Sequence, residues 1–301
     1  MLKPKVSILI PAYNAEKLVH KAIDSALVQT YDNIEVIVIN DGSTDDTWRV
    51  LQKCQKQYPQ KVRIFSQKNK GLGATRNVLL EKAKGDYIVN LDADDWLKPD
   101  YVEVMLSALG EGDIAICGFE RYDAQYQFRD KRVPELTSYT KYRFCTTAGK
   151  MFRRCFLQDN KLHYGVLNMG EDAFFNVSAY AKTDEIAIVD YTGYCCYESA
   201  SSMAHSAKYS EAKSFYSVMK ALVKDLNGSK MLYGAEFQFY VLKNLLMDVF
   251  LYKDGLSARK LIEIYRRHIV WYKEFLRQNR AKFKVYFQKG ETLPINLTLN
   301  A

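Results

Sequence analysis

No stretch of this 301-residue chain stays apolar for the ~20 residues that a bilayer crossing needs; the longest are broken by Lys243, Asp248 and Lys253. A membrane-spanning reading is excluded on that ground. Two common phosphate-loop fingerprints are missing as well. There is no GxxxxGK element followed by Ser or Thr, and where Gly71 and Gly73 open a helix, Arg76 stands at the place of the third glycine of a dinucleotide fingerprint. The six cysteines include no CxxC pair, and the neighbours Cys195 and Cys196 cannot easily share a partner, so neither a disulfide framework nor a zinc site is indicated. A reducing, cytoplasmic setting is the expectation. Lys3 and Lys5 precede the apolar run Val6 to Ile10, but Pro11 ends it and no small-residue cleavage site follows, which reads as a strand and not as a signal peptide. Internal repeats and low-complexity segments are also lacking.

What is there is ordinary in bulk and uneven in charge. Hydrophobic residues make up 48% and charged residues 26%, near globular averages. The net charge of +8 sits almost wholly at one end: from Ser257 to Ala301, ten Lys or Arg face three Glu. A basic tail behind a nearly neutral body suggests attraction to an anionic surface.

The first half alternates strand and helix patterns. Val6–Ile10, Glu35–Ile39, Val62–Ser66 and Tyr87–Leu91 are short apolar or β-branched runs. Helical spacing follows over Ala15–Gln29, Thr44–Gln57 and Gly73–Lys84, and another helix is expected from Pro99. This alternation predicts an α/β fold, a mostly parallel sheet flanked by helices, with ligands at the carboxyl ends of its strands. A further strand is expected over Asp113–Glu120, an irregular stretch to about Gly170, a helix over Glu171–Lys182, and two strands, Glu185–Tyr191 and Gly193–Tyr197. From about His205 the pattern is helical, which places a boundary between a domain of residues 1–205 and a basic helical region of residues 206–301.

Chemistry concentrates at the expected strand ends. Asp92-Ala93-Asp94-Asp95 sets three carboxylates in four residues after an apolar strand. Such acids repel unless a cation joins them, and all-oxygen ligands suit Mg²⁺ or Mn²⁺ bridging to substrate phosphates; a solvated helix cap before Pro99 is the plainer alternative. In Asp41-Gly42-Ser43-Thr44-Asp45-Asp46, Gly42 permits a tight turn and Asp41 can accept from a base or ribose. Lys70-Gly71-Leu72-Gly73-Ala74-Thr75-Arg76 leads a glycine loop into a helix, where free amides and two cations could meet a pyrophosphate. Glu171-Asp172 opens an aromatic-rich helix; these acids read either as helix-dipole partners or as a general base.

Taken in order, Val6 to Asn14, Asn40 to Asp45, Gly71 to Asn77, Leu91 to Asp95 and Gly170-Glu171-Asp172 strongly resemble the family 2 inverting glycosyltransferases of GT-A fold, over roughly residues 4 to 205. The resemblance implies that Pro11, Ala12, Tyr13 and Asp41 hold the base and ribose, with Asp92 and Ala93 beside the ribose. It implies that Lys70, Gly73 and Arg76 face the diphosphate. Asp94, helped by Asp92 or Asp95, would hold Mn²⁺ or Mg²⁺, and Asp172 would be the base with Glu171 in support. The implied donor is a UDP-sugar. The implied acceptor is a glycan, a lipid-linked or a protein-linked hydroxyl in bacterial surface polysaccharide or glycoconjugate synthesis. The chain departs from many relatives after its last strand, where Tyr197 to His205 replaces an arginine- or glutamine-rich stretch. Ser202 or His205 could reach the diphosphate or the metal if this segment closes as a lid, against a plainer reading of His205 as a surface histidine.

Two rivals are weaker. A sugar nucleotidyltransferase needs a lysine- and glycine-rich loop after the first strand, which Tyr13-Asn14-Ala15-Glu16 does not supply. A non-catalytic nucleotide-sugar or polyanion-binding protein would not need Asp92, Asp94 and Asp172 intact, and no nucleic-acid motif is present. In the tail, Tyr265, Ile269, Trp271 and Phe275 beside Arg266, Arg267, Lys273 and Arg277 suggest contact with the inner face of a membrane, or packing on the catalytic domain or a second subunit of a homodimer.

Overall fold

The apolar runs of the N-terminal half become four parallel strands, β1 (Val6–Ala12), β2 (Ile34–Asp41), β3 (Val62–Gln67) and β4 (Tyr87–Asn90). The computed structural model describes residues 3–135, 137, 140–165, 167, 170–198, 215–251 and 257–287. Every residue of β1 and β2 is buried, because helices cover both faces: α1 (Val19–Leu27), α2 (Thr47–Gln57), α3 (Leu72–Lys82) and α4 (Tyr101–Leu109). Ile8, Ile10, Val36, Val38 and Val89 pack on Ala22, Ile23, Ala26, Tyr101 and Met105 to form the main core. Ile8 lies opposite Val36 on one side and Val89 on the other, so all these strands end at the same edge.

Beyond β4 the sheet becomes mixed. It adds β5 (Trp96–Leu97), β6 (Ile114–Tyr122), β7 (Phe128–Arg132), β8 (Lys150–Arg153) and β9 (Ile186–Tyr197). The spatial order is β3-β2-β1-β4-β8-β6-β9-β5, with β7 on the free stretch of β6. β8 runs antiparallel to both its neighbours, β4 and β6, while β6 and β9 are parallel. The stretch expected to be irregular thus contains two strands and two short helices, α5 (Thr140–Arg143) and α6 (Arg154–Asp159). β9 is one strand where two were expected; register shifts on either side of Gly118 in β6 let it continue through Thr192 and Gly193. The ED helix, α7 (Glu171–Tyr180), lies in the same unit.

One carboxylate sits inside the sheet. Glu35 of β2 is 3% exposed and accepts from Ser7 Oγ (2.6 Å), Lys84 N (2.7 Å) and Arg63 Nη1 (2.9 Å). Burial opposes its ionisation, but these donors outweigh it and hold its pKa below the usual range. A depressed folded-state pKa contributes stability that is complete above the unfolded value of ~4.3 and is lost as pH falls through the lower folded value. Urea midpoints should therefore drop on acidification from pH 6 to pH 3, and Glu35→Gln, weaker by about 2 kcal/mol at pH 7, should show a smaller acid loss. Equal acid losses in both proteins would refute the assignment.

Contacts divide the chain into two compact units, Met1–Val166 with Glu171–His205, and Leu167–Gly170 with Ser206–Ala301. The second contains α8 (Phe215–Asp225), a 3₁₀ turn at Lys230–Tyr233, α9 (Ala235–Leu251), α10 (Ala258–Gln278) and α11 (Arg280–Phe287). Ser257 caps α10 by accepting from Lys260 N. Of the four residues expected on a membrane-facing stripe, Phe275 is 6% exposed, Trp271 stacks on it, and Ile269 is half-buried; Tyr265 alone is exposed. Aromatic pairing with Tyr216 and Phe283 draws Trp271 and Phe275 into the unit's own core. The exposed apolar residues of α10 are instead Ile262, Tyr265 and Val270. Among the described residues no helix is long and apolar enough to cross a membrane.

Candidate active site

The loops after β1 and β2 are stitched together. Asn14, with φ 49°, gives its amide to Ser43 Oγ (3.0 Å) and accepts from Thr44 N (2.8 Å). Asp45 accepts from Thr47 N (3.0 Å) and from Glu16 N (3.1 Å), opening α2 and tying it to the first loop. Gly42 has φ +70°, and a Cβ there would lie 2.7 Å from Asn69 N, so the turn accepts no other residue without strain. Pro11 and Ala12 are buried at the strand end, leaving the half-exposed Tyr13 ring (52%) as the side chain this corner offers to a base.

Asp41 is committed to the next loop. Its carboxylate accepts from Gln67 Nε2 (2.7 Å), Lys70 N (2.9 Å) and Gly71 N (3.0 Å), which uses three of about four acceptor sites. At 3% exposure it shapes the Lys70-Gly71 turn more than it presents itself to a ribose. Lys70 itself is exposed in front of α3. Gly73 belongs to helix packing: a Cβ would lie 2.6 Å from Gly165 O and 3.2 Å from Glu171 Cβ. The missing side chain is what lets α3 approach α7.

That approach joins two distant motifs. Arg76 of α3, 2% exposed, donates from Nη1 to Glu171 Oε1 (2.8 Å) and from Nη2 to Asp92 Oδ1 (2.6 Å). Tyr164 lies under the guanidinium, 5.4 Å from ring centre to Cζ, held by reciprocal hydrogen bonds with Asn77 and stacked on Phe175. Burial works against the Arg76 charge, but Asp92, Glu171 and Asp172 raise its pKa further above its already high value. Arg76, expected to face a diphosphate, here bridges two carboxylates. Burial and the charge of Asp172 raise the Glu171 pKa, and burial raises that of Asp172 against the pull of Arg76. Asp172 is half-buried and accepts from Ala173 N (2.7 Å).

The acidic run after β4 splits in direction. Asp95 is turned inward, 7% exposed, and accepts from Tyr197 N of β9 (2.8 Å). Burial, then Asp94 and Asp92, raise its carboxyl pKa well above the ordinary range. Asp92 keeps one oxygen beside the one given to Arg76, and Ala93 is buried behind it. Asp94 is exposed at the rim but crowded from below; lost solvation and then the Asp92 charge push its carboxyl up to about 6. Among the described residues no three His, Cys, Asp or Glu form a ready cage. One free carboxylate and half of another, both hard oxygen donors, suit Mg²⁺ or Mn²⁺ whose remaining ligands are substrate phosphates and water. His205 and Ser202 lie outside the described residues.

The Glycosyl transferase family 2 model matches residues 7–167, more than half of the chain. The chain belongs to glycosyl transferase family 2. It is 33% identical over 208 residues to the putative glycosyltransferase EpsH of Bacillus subtilis, covering 63% of this chain and 59% of that protein. Over 103 residues it is 50% identical to the chondroitin synthase of Escherichia coli, covering 34% of this chain and 15% of that protein. The chain therefore spans less than two thirds of the length of these relatives. Its fold is GT-A: it superposes on Staphylococcus aureus TarS 1-349 in complex with UDP-GlcNAc with a TM-score of 0.72 at 20% identity, covering 88% and 79% of the two chains. A mannosyltransferase from Pyrobaculum calidifontis, in complex with GDP-Man and Mn²⁺, superposes with a TM-score of 0.56 at 14% identity, covering 95% and 85%.

Two side chains of this family 2 site escaped the motif reading. Tyr164 sits in a stretch with no periodic signal. Lys150 of β8 is wholly buried, and its only sequence signal is a lysine between Gly149 and the apolar pair Met151-Phe152.

Proposed function

We propose that the chain moves a sugar from a UDP-sugar to an acceptor hydroxyl, with inversion at the anomeric carbon, in the assembly of a bacterial surface polysaccharide or glycoconjugate. The observation that carries this reading is the Arg76 bridge, which sets Asp172 beside the acids that close β4 although the two motifs are far apart in sequence. The Tyr13 ring offers a face to the uracil, and the exposed Lys70 with the free amides at the start of α3 faces the diphosphate. Asp94 and the free oxygen of Asp92 would hold Mn²⁺ or Mg²⁺, whose charge stabilises the departing nucleoside diphosphate. Asp172 takes the proton of the acceptor hydroxyl as its oxygen attacks from the side opposite the leaving group. Glu171 stays on Arg76, which keeps a second negative charge from drifting onto the base. Family membership and the names of the relatives support transfer as the activity, and the fold match to a UDP-GlcNAc complex favours uridine donors. The exposed Arg259, Lys260, Arg266, Lys273 and Arg277 beside Ile262, Tyr265 and Val270 favour an anionic membrane surface near a lipid-linked acceptor.

A nucleotide-sugar panel, read by thermal stabilisation and Mn²⁺-dependent hydrolysis, tests the donor class. UDP at ~100 times its Kd should stabilise the protein by about 2.7 kcal/mol. Most of that gain should require Mn²⁺ and vanish in Asp94→Ala. A UDP-induced shift that is the same with and without Mn²⁺ would refute the metal assignment.

A further inference from the structure

Among the described residues, Lys150 is the one buried ammonium, and the proposed mechanism does not use it. It is 0% exposed, on β8. Met151 packs in the core on the α1 side, so alternation turns Lys150 and Phe152 to the other face, where Phe152 meets Phe175 of α7 at 5.5 Å. Its Nζ donates to Thr146 O and to Ala148 O (3.1 Å), and no carboxylate forms an ion pair with it among the described residues. Burying an ammonium without a counter-charge is costly, and hydrogen bonding alone does not require it here. Thr146 O already accepts from Asn176 Nδ2 (3.2 Å), which also donates to Cys145 O (2.9 Å) and to Asp172 O (2.8 Å). Lys150 and Asn176 thus grip one turn from two sides, and Asn176 carries that grip to the first turn of α7. The surroundings are polar: Thr147 Oγ1, Asn176 Oδ1 and Tyr164 Oη are buried without a hydrogen-bond partner among the described residues.

Charge supplies the second half of the case. Asp92 and Glu171 both lie on Arg76, and among the described residues Asp172 makes no ion pair. The groups acting on Asp172 are Arg76 from α3, Asp92 at the end of β4, Glu171 and Tyr180 of its own helix, Tyr164 from the preceding loop, and Lys150 from β8. Lys150 is the cation in that set not already bound to a carboxylate. We infer that Lys150 is a positioning residue for Asp172: through the 145–148 turn and Asn176 it fixes the start of α7, and it lends the carboxylate a positive charge from behind. This rests on the reading of Asp172 as the base.

The test measures the Asp172 carboxyl directly, in full-length protein with ¹³C-carboxyl aspartate, the resonance being assigned as the one lost in Asp172→Asn. In Lys150→Met the titration midpoint should rise by roughly one pH unit, and in Lys150→Arg it should return to within about 0.3 of the parent. UDP binding should stay within about twofold in both, since Lys150 is wholly buried and its Nζ bonds the 146 and 148 carbonyls, outside the proposed donor loops. A merely structural lysine would lower the melting temperature and leave the midpoint unmoved, which would overturn the proposal. Should Lys150→Met fail to fold, Asn176→Ser cuts the same link, and an unchanged midpoint and unchanged UDP-GlcNAc hydrolysis there would be equally fatal. Asp172→Asn hydrolysing UDP-GlcNAc at the parental rate would sink the base assignment itself, whatever Lys150 does.

Discussion

Asp172→Asn is expected to bind UDP with Mn²⁺ as the parent does and to transfer sugar about 10³-fold more slowly. The amide keeps the size and the acceptor oxygen that receives Ala173 N at 2.7 Å, so the first turn of α7 should be unaffected. What it loses is the basic carboxylate that the proposed mechanism needs to take a proton. Burial raises the Asp172 pKa from its ordinary value, against the pull of Arg76. The measurement pairs calorimetric UDP binding with the rate of UDP release. Turnover within tenfold of the parent would remove Asp172 from the chemistry, whereas weakened UDP binding would mark it as a donor contact.

Arg76→Met should cost the fold itself. The guanidinium is 2% exposed and neutralises two carboxylates whose side chains are 34% and 12% exposed. Removing one partner of such a pair leaves charge uncompensated, a penalty of about 3–5 kcal/mol. The melting temperature should fall by roughly 10 °C, given ~2–4 °C per kcal/mol for a domain of this size. Met replaces much of the apolar stem, so packing against Tyr164 contributes little to the loss. Arg76→Lys should lie between the two, since one ammonium cannot span Asp92 and Glu171 as a fork does. A melting temperature within 2 °C of the parent in Arg76→Met would show that the carboxylates find other partners or simply take up protons.

The elements that could be read from the sequence are those whose burial is uniform. β1 and β2 are apolar throughout because both faces are covered, and a continuous run announces such a strand. β8 offers no such sign. It is four residues long, begins with a buried lysine and ends with an arginine, and its place between β4 and β6 depends on antiparallel pairing across the sheet. β7, Phe-Arg-Asp-Lys-Arg, is mostly exposed and reads as a loop. In the site, the acids and the cation could be found by motif, but their partners could not. Arg76 meets Glu171 because Gly73 brings two helices together, and Asp95 turns inward because β9 supplies the amide of Tyr197. Such choices are made by tertiary neighbours many residues away, and spacing along the chain carries no trace of them.

The antiparallel β8 has a consequence for how such a molecule can change. It is a seam: on one side lie the parallel strands β1 to β4, on the other the β6–β9 half and its outlying hairpin strand. β8 meets each side by backbone pairing, but the two halves are not independent: Tyr194 of β9 accepts from Asp92 N (3.1 Å) through its hydroxyl, so that side chain cannot change without loosening the turn after β4. Substitutions elsewhere in that half can accumulate while the proposed donor site at the ends of β1 to β4 is kept.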